Sequence, residues 1–329
     1  MSDFDLISIG DATRDVFITP SESDTLCQIN SKDCYLMFSY GDKIPVKSLT
    51  FDIGGNAGNN VVGTKRLGIK SSIFLTLGDD GIGNEIVEKF IKEGVDTSHV
   101  FRQKGVGSDY YTIIVVSGER TIFGYKNEKQ YFMPETLPET DWVYLTSMAE
   151  NFEGVYEKVV RWVDEKQIKL AFNPGSRQIR AGVDKLKNVL AKTYIFYVNR
   201  EEAEILTGFS ESQGKEKELL QKASELGPKI VIVTDGGNGA FVYDGSKFLK
   251  TGVLPVDAYE RTGAGDAFGS GCVSALIKGK PLEEALLWGT VNSASVIGYT
   301  GAQHGLLRED QIGEWLERAK SCNVKVEEF

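Results

Sequence analysis

Residues 260–271, ERTGAGDAFGSG, set Gly263, Ala264 and Gly265 directly ahead of Asp266, and a helix-like periodicity follows from about Ala267 to Ile277. Backbone N–H groups at a helix start have no intrahelical partner and lie at the positive end of the helix dipole. Small residues let a ligand approach that backbone, and such a site can stabilise the charge that builds on a transferring phosphoryl group. An adjacent carboxylate can accept the proton of an attacking hydroxyl. The same residues also read as a tight turn whose aspartate caps the next helix. Taken alone, the stretch does not separate the two.

Two further stretches carry the same ambiguity. In DIGGNAGNNVVGTKRLG (52–68), Gly54 and Gly55 permit close approach and Asn59 offers an amide to hydroxyl groups, or the whole is a glycine-rich strand-to-helix turn. In YVNREEAEILTG (197–208), Asn199 and Glu202 stand three apart after an apolar run, able to face one ligand or to form a solvated first helical turn. Several familiar templates are absent. The Gly-Lys pairs at 214–215 and 279–280 are followed by Glu216 and Pro281, so there is no GxxxxGK[ST] loop. With only His99 and His304, HExxH cannot occur. Phe268 breaks both a GxSxG elbow around Ser270 and a GxGxxG pattern beginning at Gly263.

The elements that must hold these residues alternate. DLISI (5–9), SSIFLTL (71–77), WVYLTS (142–147), IKLAFN (168–173), TYIFYVN (193–199) and KIVIVT (229–234) are apolar on both sides, as in strands covered on both faces. Between them lie helical stripes such as Ile82, Ile86, Val87, Phe90 and Ile91, or Val155, Val159, Trp162 and Val163. This alternation predicts an α/β fold, a doubly wound and mainly parallel sheet flanked by helices. Two regions depart from it. Residues 14–53 hold DVFIT, CYLMFSY and KSLTFDI without a helix, and 109–127 read as a hairpin turning at Ser117-Gly118. They predict a small β-sheet lid, formed by about 12–53 and 107–128, inserted in a single α/β domain.

Composition narrows the class. Of 329 residues, 41% are hydrophobic, enough for a large core, and the formal charge of −10 without a basic block argues against a nucleic-acid partner. No apolar run is long enough to span a bilayer. The start, MSDFDLISIG, lacks a basic n-region with an apolar h-region, and Cys27, Cys34, Cys272 and Cys322 include no CxxC pair. These features predict a protein of a reducing compartment, cytoplasmic, without a membrane partner.

Taken together the motifs resemble the ribokinase-like (PfkB-type) family of carbohydrate and nucleoside kinases, from Ile9 to about Gly305. GGNAGNNVVGTKRLG resembles its N-terminal motif and RTGAGDAFGSG its C-terminal one, with NxxE and VTDGGNGA between them. The resemblance implies that Asp266 is the catalytic base and that Gly263, Ala264 and Gly265 form the anion hole. It implies substrate contacts from Asp15, Gly54, Gly55 and Asn59. It assigns Asn199, Glu202, Thr234, Gly236 and Gly239 to the nucleotide and its phosphates, with Glu202 acting on magnesium through water, and puts Asn292 near the adenine. ATP and Mg2+ follow as cofactors, a sugar-covering sheet as the lid, and a homodimer through that sheet as an arrangement many members adopt.

The sequence also departs from the family pattern. Glu260-Arg261-Thr262-Gly263 stands where Asp-Thr-Thr-Gly is common, and the longer acid with an added cation argues against a monovalent-cation site. The segment 21–44, with Cys27 and Cys34 read as ordinary thiols, is longer than a simple lid connection. Asp15 and Asn59 suit any polyol. A phosphosugar would need cations such as Arg14, Lys43, Arg120 or Lys126, and a nucleoside would need walls such as Phe17, Phe38, Tyr40, Tyr110, Phe123 or Tyr125. The expectation is an ATP-dependent kinase of a free pentose or hexose, with a nucleoside kinase as the alternative and a non-catalytic ligand-binding regulator as the third reading.

Overall fold

The computed structural model describes residues 2–21, 24–27, 34–116 and 119–329, of which 24–27 and 34 are described by backbone alone. Along the chain, β1 (Phe4–Ile9) is followed by β2 (Thr13–Pro20), β3 (Asp24–Cys27), β4 (Cys34–Met37) and β5 (Val46–Gly54). Alternation then begins with α1 (Asn56–Arg66), β6 (Ser71–Gly78), α2 (Gly81–Lys92) and β7 (Val100–Gln103). The hairpin strands β8 (Tyr110–Val116) and β9 (Glu119–Tyr125) interrupt it. It resumes with β10 (Thr140–Thr146), α3 (Glu153–Lys166), β11 (Lys169–Asn173), α4 (Ser176–Ala181), α5 (Val183–Lys192) and β12 (Thr193–Asn199). Then come α6 (Arg200–Thr207), α7 (Glu216–Ser224), β13 (Ile230–Thr234), β14 (Ala240–Tyr243) and β15 (Phe248–Thr251). The last elements are α8 (Ala264–Ile277), α9 (Leu282–Val296), α10 (Glu309–Ser321) and β16 (Val326–Glu328).

The large sheet is 10-stranded, in the order β16-β15-β14-β13-β12-β11-β10-β1-β6-β7. It is parallel from β7 to β13 and antiparallel from β13 to β16. The expected two-faced strands form its parallel part. β7 and the antiparallel edge were not anticipated, because these short strands carry no long apolar run. Alternate residues of one strand feed opposite cores. Val143 and Leu145 of β10 pack with Val155, Val159, Trp162 and Val163 of α3, while Trp142 and Tyr144 pack with α8 and α9. In α2 only part of the stripe is buried: Ile86 and Phe90 are inside, and Ile91 is 60% exposed. Helices α8 and α9 touch nearly backbone to backbone, since a Cβ on Gly271 would stand 2.7 Å from the Trp288 carbonyl. No helix among the described residues is long and apolar enough to cross a membrane.

The two helix-free regions meet in one small sheet, ordered β5-β2-β8-β9. β2 runs antiparallel to β5 and parallel to β8, and β8 pairs antiparallel with β9. β3 and β4 form a separate two-stranded ribbon. The Ser117-Gly118 turn and the Cys27 and Cys34 thiols lie outside the described residues. Only residues 10–12 separate β1 from β2, so the small sheet springs from the C-terminal edge of the large one. In open α/β sheets that edge is where ligands bind.

Candidate active site

Asp266 sits in the first turn of α8, whose N-cap, Gly263, has φ 79° and supplies no side-chain cap. A Cβ on Gly263 would lie 2.7 Å from Ala302 Cα, so the turn needs glycine for both conformation and space. Ala264 N donates weakly to Arg261 O at 3.4 Å and Ala267 N closes the helix onto Gly263 O at 2.8 Å. The N–H groups of Gly265 and Asp266 find no acceptor among the described residues. Beside Gly265 there is open space, with nothing within 4 Å of a built Cβ. Two free amides, an open approach and a carboxylate therefore share one helix start. Asp266 does not cap the helix as the turn reading had it, and the missing cap is what leaves the amides free.

The Asp266 carboxyl is pushed up to about 7, chiefly by burial. The nearby Glu202 charge adds to this, while a hydrogen bond from Asn59 and the charge of Arg120 oppose it. Asn59 Nδ2 donates to Asp266 Oδ2 at 2.8 Å. Asn59, expected to contact substrate, is thus bonded to the acid itself.

Asp15, on β2, is buried with its Oδ1 accepting from Thr13 Oγ1 at 2.6 Å. Burial raises it to about 7, and the charges of Asp52 and Glu260 push the same way. Its Oδ2 lies against Gly54 so closely that any Cβ there would collide. Gly55 has φ 83°, and a Cβ would come within 2.6 Å of Asp11 O. These contacts explain the glycine pair: it lets β5 turn into α1 directly under Asp15.

On the other side, Asn199 ends β12 and caps α6. Its Oδ1 accepts from Glu202 N at 2.9 Å, and Glu202 Oε2 accepts from Asn199 N at 2.9 Å. This reciprocal capping box uses one carboxylate oxygen. Burial raises the Glu202 carboxyl above its usual range, despite the opposing bond from Asn199. Thr234 ends β13, and Gly236–Asn238 form a 3-10 turn, with Gly236 at φ 49° and Gly239 after it at φ 88°. Asn292 lies in α9. It is fully buried; Nδ2 donates to Ala267 O at 2.8 Å and Oδ1 accepts from Leu307 N at 2.9 Å. It braces the start of α8.

Several groups had no motif to announce them. Arg200 Nη2 donates to Asp235 at 2.8 Å and to Glu216 at 2.9 Å, tying the turn after β13 to the start of α6. Under the small sheet, Lys126 Nζ donates to Asp11 Oδ2 at 3.0 Å, Tyr131 to Asp11 Oδ1 at 2.8 Å and Lys129 to Asp109 at 2.7 Å. Burial alone would raise Asp11, but the two lysines and these bonds hold it below its usual value. Glu260 is buried; Oε1 accepts from Thr262 N at 2.9 Å and Oε2 from Gly301 N at 3.1 Å. It fastens the loop ahead of α8 to the loop at Gly301. Arg261 is exposed, 3.9 Å from an equally exposed Glu119. Among the described residues no group of three or more acids, histidines or cysteines could hold a metal.

An open α/β sheet with a half-buried acid and free helix-start amides at its C-terminal edge suits a small-molecule phosphotransferase. The profile of the pfkB family carbohydrate kinases matches residues 8–309, and the chain belongs to that family. It is 28% identical to a ribokinase of Haemophilus influenzae over 292 residues, 85% of this chain and 92% of that one. It is equally 28% identical to an ATP-dependent 6-phosphofructokinase of Thermoanaerobacterium thermosaccharolyticum over 284 residues, 80% and 84% of the two chains. A nucleoside kinase of Methanocaldococcus jannaschii, an archaeal member of the ribokinase family, superposes with a TM-score of 0.75 at 20% identity, covering 97% of this chain and 100% of that one. All three are named as kinases, and their names differ in acceptor.

Proposed function

We propose that this carbohydrate kinase transfers the γ-phosphoryl group of ATP to a hydroxyl of a free pentose or hexose. The carrying observation is the pairing of Asp266 with the unpartnered amides of Gly265 and Asp266 at one helix start. As a carboxylate, Asp266 takes the proton of the sugar hydroxyl while that oxygen attacks the γ-phosphorus in line and the bond to the ADP oxygen breaks. Gly263, Ala264 and Gly265 present backbone to the charge on the phosphoryl oxygens. Asp15, Gly54 and Gly55 hold the acceptor hydroxyls, and Asn59 steadies the base.

Asn199, Glu202, Thr234, Gly236 and Gly239 face the nucleotide in this reading. Glu202 has one oxygen outside its capping box, and a lone carboxylate with no ligand cage fits Mg2+ that keeps its waters and phosphate ligands. The ion, when bound, would neutralise phosphate charge. Glu260, already bonded at both oxygens, offers no support for a monovalent-cation site. The chain acts as one unit, its small sheet a lid that excludes competing water. Exposed Leu49, Phe51, Phe123 and Tyr125 on that sheet fit a homodimer, which size-exclusion chromatography with light scattering would detect.

A free sugar is favoured over a phosphosugar because two of the needed cations are engaged. Arg14 pairs with Glu85 at 2.8 Å over the Phe51 ring, and Lys126 is held by Asp11. A nucleoside kinase is the second reading, in keeping with the likeness to the archaeal nucleoside kinase, although Phe17 is core and Phe123 and Tyr125 lie on the sheet face opposite Asp15. Products formed from a panel of sugars and nucleosides with Mg-ATP, identified by mass spectrometry, test both. Turnover of nucleosides without turnover of any pentose or hexose would overturn the sugar reading, and transfer to none would favour a regulator.

A further inference from the structure

Gln303 is fully buried, and among the described residues its side chain makes a single hydrogen bond. Nε2 donates to Asn59 Oδ1 at 3.1 Å, while Oε1 is buried without a partner. Burying an amide with its oxygen unpartnered is costly, which directs attention to the one bond it keeps. What it decides is the sense of the Asn59 amide. With a donor on its oxygen, Asn59 turns Nδ2 toward Asp266 Oδ2, 2.8 Å away. Reversed, its oxygen would face a carboxylate, two acceptors in contact. Gln303 is in turn held by Arg66, whose Nη1 donates to the carbonyls of Gln303 and Leu306 at 2.6 and 3.2 Å. Arg66 is itself paired with Glu93 at 2.6 Å, each side chain 9% exposed. A line of buried polar contacts thus runs from the end of α2 to Asp266.

We propose that Gln303 is a positioning residue for phosphoryl transfer: by fixing the Asn59 amide it keeps an N–H on one oxygen of Asp266 and leaves the other free to act. This rests on the reading of Asp266 as the base. Gln303 acts only through Asn59. A donated hydrogen bond favours the charged form, against the burial that raises Asp266. Without it the proton is held more tightly, so activity is lost at higher pH. The other groups acting on Asp266 are Glu202 from α6, which raises it, and Arg120 from β9, which lowers it. The buried phenols Tyr144 of β10 and Tyr197 of β12 also lie near it, and both are raised well above the usual tyrosine range, so they stay neutral.

The test is the pH profile of kcat/KM with Mg-ATP and the best acceptor of the panel. Gln303→Leu and Gln303→Met remove the donor at similar volume. The acid limb is expected to move up by about one pH unit, with about a fivefold loss at pH 7. In an Asn59→Ala background the same substitution should add no further shift. An unmoved limb in a folded variant, or a full shift in the Asn59→Ala background, overturns the proposal. Should both variants fail to fold, NMR of the wild-type protein decides. One Asn and one Gln side-chain amide should exchange slowly and titrate with the acid limb, and their absence rejects the assignment. Turnover surviving in Asp266→Asn would instead sink the base reading, so the two failures are distinguishable.

Discussion

Helices α6 and α8 both begin with residues that the motifs direct toward a nucleotide or its phosphates, yet their first turns are built in opposite ways. α6 opens on Asn199 with a closed capping box, its side chain and that of Glu202 satisfying each other's backbone. α8 opens on Gly263 in the left-handed region with no side-chain cap and two amides unpartnered among the described residues. The capped start is complete without a ligand. The uncapped one keeps its donors for water or an anion. The difference teaches that a motif's donors matter by whether the protein has already used them.

The comparison is broken most severely at the acid. Asp266→Asn should lower kcat by about 10³-fold or more while ligand binding is kept, measured by turnover and by calorimetric titration. Gly265→Ala is the sharper probe of the open amides. The added methyl meets no protein atom and sits in a helix, so stability should rise by about 0.5–1 kcal/mol. Yet that methyl occupies the approach to the amides, and kcat should fall about 10²-fold. Unaltered activity in a stabilised Gly265→Ala protein would mean that no ligand comes there. At α6, Glu202→Gln keeps an oxygen for the capping box and loses the charge. The Mg2+ concentration for half activity should rise about tenfold. Removing a like charge also lowers the Asp266 carboxyl, so the acid limb should move down in pH, opposite to the Gln303 variants.

The parallel half of the sheet was legible because β1, β6 and β10 to β13 are buried on both faces and read as unbroken apolar runs. β14, β15 and β16 were not: they are short, and β15 pairs with a strand near the end of the chain, a partnership no local pattern encodes. The same split holds at the site. Asp266, Gly263 and Gly265 announced themselves by spacing within a few residues. Gln303 touches Asn59 across 244 positions, and Lys126 reaches Asp11 across 115, so neither spacing nor composition could pair them. The bracing bonds of Asn292 were not legible either, because a buried asparagine holding two backbone groups and one facing a base look alike in sequence.

The smallest predicted effect separates the two jobs of the α6 start. Asn199→Ala removes the cap and should cost about 1 kcal/mol, a fall in Tm of about 2 °C by calorimetry. α8 has no such cap to lose. Asn199→Asp restores an acceptor for Glu202 N, so Tm should recover, but it sets a second carboxylate against Glu202 where phosphates are to lie. The KM for ATP should then stay raised, roughly threefold, though the fold is repaired. If Asp restored both Tm and KM, Asn199 would be a cap and nothing more, and nucleotide handling at α6 would fall to Glu202 alone. If KM stays high while Tm returns, the capped helix start, like the open one, faces the nucleotide.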